Sequence, residues 1–351
     1  MLLYIHIPFC DSKCSYCAFN SYVDKFYLKE SYMKALEVQL KFELERFDAK
    51  EESIETVFIG GGTPSTISAS MYKPLFKSIK PFLKKNIEIT SEANPNSATK
   101  EWLDGMFKLG VNRMSFGTQS FNKSKLKLLN RSHSPEDAQR AITDAKEVGF
   151  DNISLDLIYA TLGDTKELLE QDLKIAFSLP INHLSAYALI IEENTPFASK
   201  PQMSKESLRL TNWLFSKIES FGFKQYEISN FGLYQSSHNL GYWSYKDYIG
   251  LGSGAVGKLG LERFYPQTTI ESYILNPLDI RVETLSQEDK ITEQLFLGFR
   301  SSLGVDANIL DKAQSQRASI LVKEKKLELS NGVLYNPNFL LADEITLFLY
   351  S

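Results

Sequence analysis

Short apolar runs and amphipathic stretches alternate through the first two thirds of this chain, and no other feature constrains its fold as strongly. Residues 2–7 read as a strand. Leu28, Tyr32, Leu36, Leu40, Leu44 and Phe47 then recur at three- and four-residue steps, one face of a helix. Strands are expected again at 54–59, 87–92, 113–117, 153–158 and 183–188, with helices around 71–83, 100–109, 135–148, 166–177 and 204–221. Gly110, Gly149 and Gly222 close three of those helices. Strand–helix units of roughly 30–40 residues imply parallel strands joined by right-handed crossovers. About six such units suit an open, partial β/α barrel better than a closed eight-stranded one. Ligands in such folds lie beyond the carboxyl ends of the strands.

The rhythm breaks after about Phe231. The sequence divides into a barrel domain at 1–231, a loop-rich, aromatic connecting segment at 232–285, and a C-terminal unit at 286–351. In the last, helices at 288–299 and 314–325 precede a hairpin turned by Asn331-Gly332, and a final helix covers 340–349. That order reads as a small winged-helix-like domain.

With 39 basic and 43 acidic side chains in 351 residues, the chain carries no charge excess that would draw it to nucleic acid. The start, MLLYIHIPFC, lacks a basic segment and a cleavage site, and no apolar run approaches about 18 residues. The expectation is a cytoplasmic protein, not an integral membrane one. All three cysteines fall within eight residues, which argues against a disulfide framework.

Those cysteines, Cys10, Cys14 and Cys17, follow the first strand. Iron–sulfur clusters are held by thiolates, and three thiolates on a four-iron cube leave one iron open to a small molecule. A structural zinc site or three buried thiols is the competing reading. Zinc would need a fourth ligand such as His6.

Other motifs stand at the ends of the predicted strands. Gly60-Gly61-Gly62-Thr63-Pro64 follows the second, where glycine allows close backbone approach and a tight turn explains the run equally well. Glu92, in Glu92-Ala93-Asn94-Pro95, ends the third, and Gln119 follows the fourth in Gly117-Thr118-Gln119-Ser120-Phe121. Asp156 lies inside an apolar fifth strand, a costly position without a partner. Arg131 offers bidentate recognition of a carboxylate. His238-Asn239-Leu240-Gly241-Tyr242-Trp243 joins an imidazole to two aromatics; it suits a porphyrin, or equally a satisfied histidine with packed neighbours.

Together, YIHIPFCDSKCSYCAFNS, GGGTP, EANP, TQSF, YEISNF and HNLGYW resemble the radical S-adenosylmethionine (SAM) family named after oxygen-independent coproporphyrinogen oxidase, specifically its heme-chaperone branch. The resemblance runs from Tyr4 into the C-terminal domain. It implies a [4Fe-4S] cluster on Cys10, Cys14 and Cys17, with SAM on the open iron. It implies SAM contacts from Tyr4, Tyr16, Gly61, Gly62, Thr63, Glu92, Gln119, Arg131, Asp156 and Ala188. It implies heme contact by His238, Tyr242 and Trp243, and transfer of heme to an acceptor, expected to be a membrane-bound respiratory enzyme.

The alternative within the family is the oxidase, which decarboxylates coproporphyrinogen III. The oxidase has a further cysteine where this chain has Phe19, and an arm before the first strand where only nine residues precede Cys10. Lack of oxidase activity is therefore expected, and no catalytic residue is assigned. Two departures affect loops: Ala160-Thr161-Leu162-Gly163 replaces the usual Gly-Leu-Pro-Gly, and Val256 stands where relatives show histidine.

Overall fold

The computed structural model describes residues 1–350. The alternating segments fold as β1 (Leu2–Ile7), α1 (Lys29–Arg46), β2 (Ile54–Gly61), α2 (Lys73–Ile79), β3 (Leu83–Ala93), α3 (Lys100–Leu109), β4 (Arg113–Gln119), α4 (Lys123–Leu128), α5 (Pro135–Val148), β5 (Asn152–Tyr159), α6 (Lys166–Ser178), β6 (His183–Ala188) and α7 (Leu208–Ser220). The six strands pair in parallel in chain order, from β1 to β6. This is the expected open parallel β/α barrel.

The connecting segment is more regular than its glycines and aromatics suggested. After β7 (Lys224–Gln225) and β8 (Asn230–Gly232) end the barrel domain, it contains α8 (Ser237–Trp243), β9 (Tyr248–Leu251), β10 (Gly257–Leu259), β11 (Glu262–Pro266), α9 (Ile270–Leu275) and β12 (Ile280–Thr284). β9 pairs in parallel with β1, Leu3 opposite Ile249, and β10 to β12 extend that edge in antiparallel fashion. β8 and β7 close the other edge beyond β6. One sheet of 12 strands results, ordered β12-β11-β10-β9-β1-β2-β3-β4-β5-β6-β8-β7, with both ends free.

Alternation along the strands divides the sheet into two unlike faces. Leu3, Ile5, Ile7, Val57, Ile59, Met114, Phe116, Leu155 and Leu184 are buried in the large core beneath the helices. The opposite face is polar. Register aligns Thr56 with Glu88, Glu92 with Ser115, and Asp156 with Ser185. Such a face is sustained by hydrogen bonds among its own groups and by whatever binds there.

The C-terminal unit consists of α10 (Gln287–Gly298), β13 (Val305–Asp306), α11 (Lys312–Lys323), β14 (Glu328–Ser330), β15 (Val333–Tyr335) and α12 (Ala342–Tyr350). Its three strands form a separate antiparallel sheet, ordered β13-β15-β14, and Leu295, Phe299, Leu321, Leu334 and Leu349 form its own core. The expected Asn331-Gly332 turn is present, with both residues at positive φ. β13, only two residues long, left no period to read. The unit docks on the barrel through Ile228 N–H to Arg300 O (2.8 Å), Tyr245 Oη to Glu293 (2.6 Å) and the Arg263–Glu293 ion pair. No helix among the described residues is long and apolar enough to cross a membrane.

Candidate functional site

The three cysteines occupy a loop that leaves the carboxyl end of β1 and returns on itself. Cys10 N–H donates to Tyr22 O at 3.0 Å and Tyr22 N–H to Pro8 O at 2.7 Å, closing the base of the loop. Lys13 Nζ donates to Phe19 O and Ser21 Oγ, each at 2.7 Å, across the interior. Asn20 anchors the far side through Nδ2 to Ser253 O (2.9 Å) and Thr268 O (2.8 Å). His6 is consumed by the same scaffold: Nε2 meets Asn20 O at 2.8 Å and Nδ1 meets Tyr4 Oη at 3.0 Å. With both nitrogens engaged, His6 is not available as a fourth zinc ligand.

All three thiols are free and partly exposed. They line one cavity of about 550 Å³, together with Tyr16, Gly61, Gly62, Thr63, Glu92, Gln119, Arg131, Asp156 and Ala188. Every expected SAM-contacting residue except Tyr4 is thus gathered in a single concavity at the carboxyl ends of β1 to β6. Tyr4 lies lower on β1 and reaches the site through His6.

Local geometry explains each position. Gly62 N–H donates to Ile7 O and Thr63 N–H to Phe9 O, each at 2.7 Å, which laces the glycine loop to the cysteine loop. Gly61 has φ +106°, and a Cβ there would sit 2.3 Å from the His6 ring. Only glycine fits that conformation in that space. Thr63 Oγ1 donates to Cys10 Sγ at 3.4 Å. Arg131 Nη1 donates to Cys14 Sγ at 3.1 Å and Nη2 to Gly117 O at 2.7 Å; Nη2 also binds Asn94 Oδ1. His133 holds the same turn through Nε2 and Thr118 O at 2.9 Å.

The cavity wall is electrostatically unfinished. Glu92 accepts from Gly61 N–H at 3.2 Å, and Asp156 is 3.5 Å from Ser115 Oγ. Among the described residues, neither forms an ion pair; Arg113 and Arg131 act on them only at a distance. Withdrawal from water, together with the Asp156 charge, pushes Glu92 up to about 8. Withdrawal from water raises Asp156 to about 6. The buried Arg131 Nε has no hydrogen-bond acceptor. An orphan donor beside two acceptors lacking a cation fits a ligand carrying both a carboxylate and positive charge. Among the described residues, no three of His, Cys, Asp and Glu converge on one metal ion. A cube that seats each thiolate on its own iron makes no such demand.

A buried ion cluster behind this wall was not foreseen. Lys125 Nζ lies 2.8 Å from Asp164 Oδ1, with both side chains almost fully buried. Asp172 accepts from Ser120 Oγ and Phe121 N–H, each at 2.7 Å. These bonds fix the turns after β4 and β5, where Gln119 (φ +64°) and Ala160 (φ +60°) hold left-handed backbone. Ala160 pays for left-handed backbone that glycine adopts freely, so Ala160→Gly is expected to raise stability by about 1 kcal/mol, measured by denaturant unfolding.

The His238 motif is elsewhere. It forms α8 at the amino ends of the strands, opposite the cysteines. Glu88 accepts from Ser237 N–H and His238 N–H, each at 3.0 Å, and from Ser236 Oγ at 3.2 Å. That carboxylate complements the amino end of α8. Gly241 lets the helix press on β1, since a Cβ there would meet Leu2 at 2.6 Å. His238 is 1% exposed. Its Nδ1 is 2.7 Å from Thr56 Oγ1, and its ring stacks on Phe58 and packs edge-on to Tyr242. Burial lowers its pKa to about 3, so the imidazole is neutral. Its Nε2 has no partner. Contact between this ring and a bound porphyrin requires α8 to move.

A parallel open barrel with three thiols at the end of β1 defines a radical SAM protein, and the radical SAM superfamily model matches residues 4–176. The chain is 36% identical over 323 residues to the heme chaperone HemW of Bacillus subtilis, covering 86% of this chain and 84% of that one. It is 32% identical over 349 residues to the HemW of Lactococcus lactis, covering 95% and 90%. Against the HemW of Escherichia coli the figures are 38% over 266 residues, 73% and 70%. The chain belongs to the HemW family. Among solved structures, coproporphyrinogen III oxidase (HemN) from Escherichia coli superposes with a TM-score of 0.82 at 21% identity, covering 99% of this chain and 89% of that one, which shows a shared fold.

Proposed function

We propose that this protein is a heme chaperone that binds heme and passes it to an acceptor protein in the cytoplasm or at its membrane boundary, while carrying a [4Fe-4S] cluster with exchangeable SAM. The observation that carries this reading is the identity, over most of the chain, to several proteins named as heme chaperones. Phe19, in place of the oxidase's further cysteine, favours it over coproporphyrinogen oxidation.

Cys10, Cys14 and Cys17 would hold the cluster. When bound, the cluster supplies one electron, and SAM a sulfonium that such an electron can cleave. The chain's own residues do the rest. Arg131 would pair its free Nε with the methionine carboxylate. Glu92 and Asp156 would take the ammonium and ribose hydroxyls. The Gly61–Thr63 backbone would meet the amino end of SAM, while Gln119, Tyr16 and Ala188 line the cavity. His238, Tyr242 and Trp243 remain the family's mark for heme contact, with the unpaired Nε2 as the group able to ligate iron.

Titration of the reconstituted protein with hemin tests this proposal. The expected result is a saturable Soret change near one heme per chain. With coproporphyrinogen III, SAM and a reductant under anaerobic conditions, no protoporphyrinogen is expected. Turnover in that second assay would favour the oxidase instead.

A further inference from the structure

We infer that the buried Lys125–Asp164 pair is a clasp that fixes the Cys14–Cys17 stretch for its cluster, which makes both of them positioning residues for that cofactor. The inference rests on the proposed cluster and goes beyond it by naming what holds two of its ligands in place. Lys125 Nζ and Asp164 Oδ1 are 2.8 Å apart, with side chains 3% and 2% exposed. Neither atom has a hydrogen-bond partner elsewhere among the described residues. Each charge therefore depends on the other, and removing one alone leaves its partner buried and uncompensated.

Two arms run from this pair to the cysteine loop. The first is α4, which carries Lys125. Leu129 N–H donates to Lys125 O at 3.0 Å, and Leu129 O accepts from Ser15 N–H at 3.2 Å. Asn130 Nδ2 adds a bond to Lys13 O at 2.7 Å. The second arm begins at Asp164, whose Oδ2 accepts from Thr161 N–H at 2.9 Å. Leu162 N–H donates to Met203 O and Lys205 N–H to Ala160 O, each at 2.8 Å, so the turn after β5 is joined to 203–205. That segment leads back to Phe197, whose N–H donates to Ser15 O at 3.1 Å. Ser15 stands between Cys14 and Cys17. One arm holds its N–H and the other its carbonyl. The circuit encloses the small core of Leu129, Ile158, Leu189, Phe197 and Met203, on which Tyr16 packs. Opening the pair frees the turn after β5 from α4, and the two grips on Ser15 lose their common base. Bonds behind a metal ligand set its orientation and the affinity of its site. Asp172 keeps its own bonds to Ser120 Oγ and Phe121 N–H, so the start of α4 stays anchored when the pair is removed.

The test uses the full chain with its cluster reconstituted anaerobically. Lys125→Met with Asp164→Asn removes both charges at nearly constant shape and leaves an acceptor for Thr161 N–H. This double variant should take up about four irons. It should release them to a chelator roughly ten- to a hundredfold faster than wild type. Its reduced cluster should give a broadened electron paramagnetic resonance spectrum. Lys258→Met serves as the control, because it breaks the nearly buried Lys258 pair with Asp247 on the β9–β10 edge. It should lower thermal stability and leave iron release unchanged. In wild type, amide exchange at 13–17, 160–164 and 197–205 should slow together when the cluster is loaded. Wild-type iron release in the double variant, equal acceleration in Lys258→Met, or slowing confined to 13–17 would overturn the clasp while leaving the cluster assignment intact. A wild-type chain that holds no four-iron cluster would overturn both.

Discussion

Replacing Cys10, Cys14 or Cys17 singly by alanine is expected to drop bound iron from about four per chain to below one, and to remove SAM binding with it. The three thiols line one cavity, and the loop that carries them is closed by backbone bonds at Cys10 and Tyr22. Two thiolates leave two irons unprotected, and neighbouring side chains cannot compensate. His6 is bonded at both nitrogens, and the neighbouring carboxylate, Asp11, does not line the cavity. Thermal stability should change little by comparison, since the thiols are not core residues. Iron and sulfide assays, with equilibrium dialysis of labelled SAM, read the two losses separately.

Glu92→Gln is expected to act in opposite directions on the empty and the loaded protein. In the unfolded chain Glu92 titrates near 4.5, and in the folded cavity near 8. Between those values the folded state retains a proton that the unfolded state has released. The stability of the empty protein therefore falls as pH rises from about 4.5 to 8. Asp156, raised from 3.8 to about 6, contributes with the same sign over a lower range. Glutamine carries no proton to lose and still accepts from Gly61 N–H. The variant should exceed wild type by about 1–3 kcal/mol at pH 8 and by much less at pH 5. With SAM the order reverses, because the carboxylate partners the ligand's positive charge. Affinity should fall by roughly ten- to a hundredfold. Denaturant titrations at the two pH values, without and with SAM, check both arms.

Residues whose positions follow from local pattern were legible before the structure. Six strands with their crossover helices announced themselves through amphipathic alternation. Once the strands were placed, Cys10, Gly61, Glu92, Gln119 and Ala188 fell at their carboxyl ends without further assumption. β9 to β12 escaped because each has three to five residues, and β9 is defined by pairing with β1, 246 positions earlier. α8 escaped for a similar reason. Seven residues including Gly241 carry little helical signal, and Glu88, 150 positions earlier, holds the helix in place. The Lys125–Asp164 pair could not be read either, since a buried ion pair has the same letters as two surface charges. For His238, sequence chemistry left a heme contact and a packed histidine both open, and the structure encloses the ring between Phe58 and Tyr242. Imidazole burial is a property of long-range packing and leaves no local trace.

The whole account depends on an iron–sulfur cube in the β1 cavity with one iron free to take a small molecule. Mössbauer spectroscopy of the anaerobically reconstituted protein, before and after SAM is added, addresses this directly. The expected spectrum is that of a four-iron cluster in which a single site shifts when SAM arrives. Zinc at the sulfurs, or a cluster whose irons are all indifferent to SAM, would contradict it.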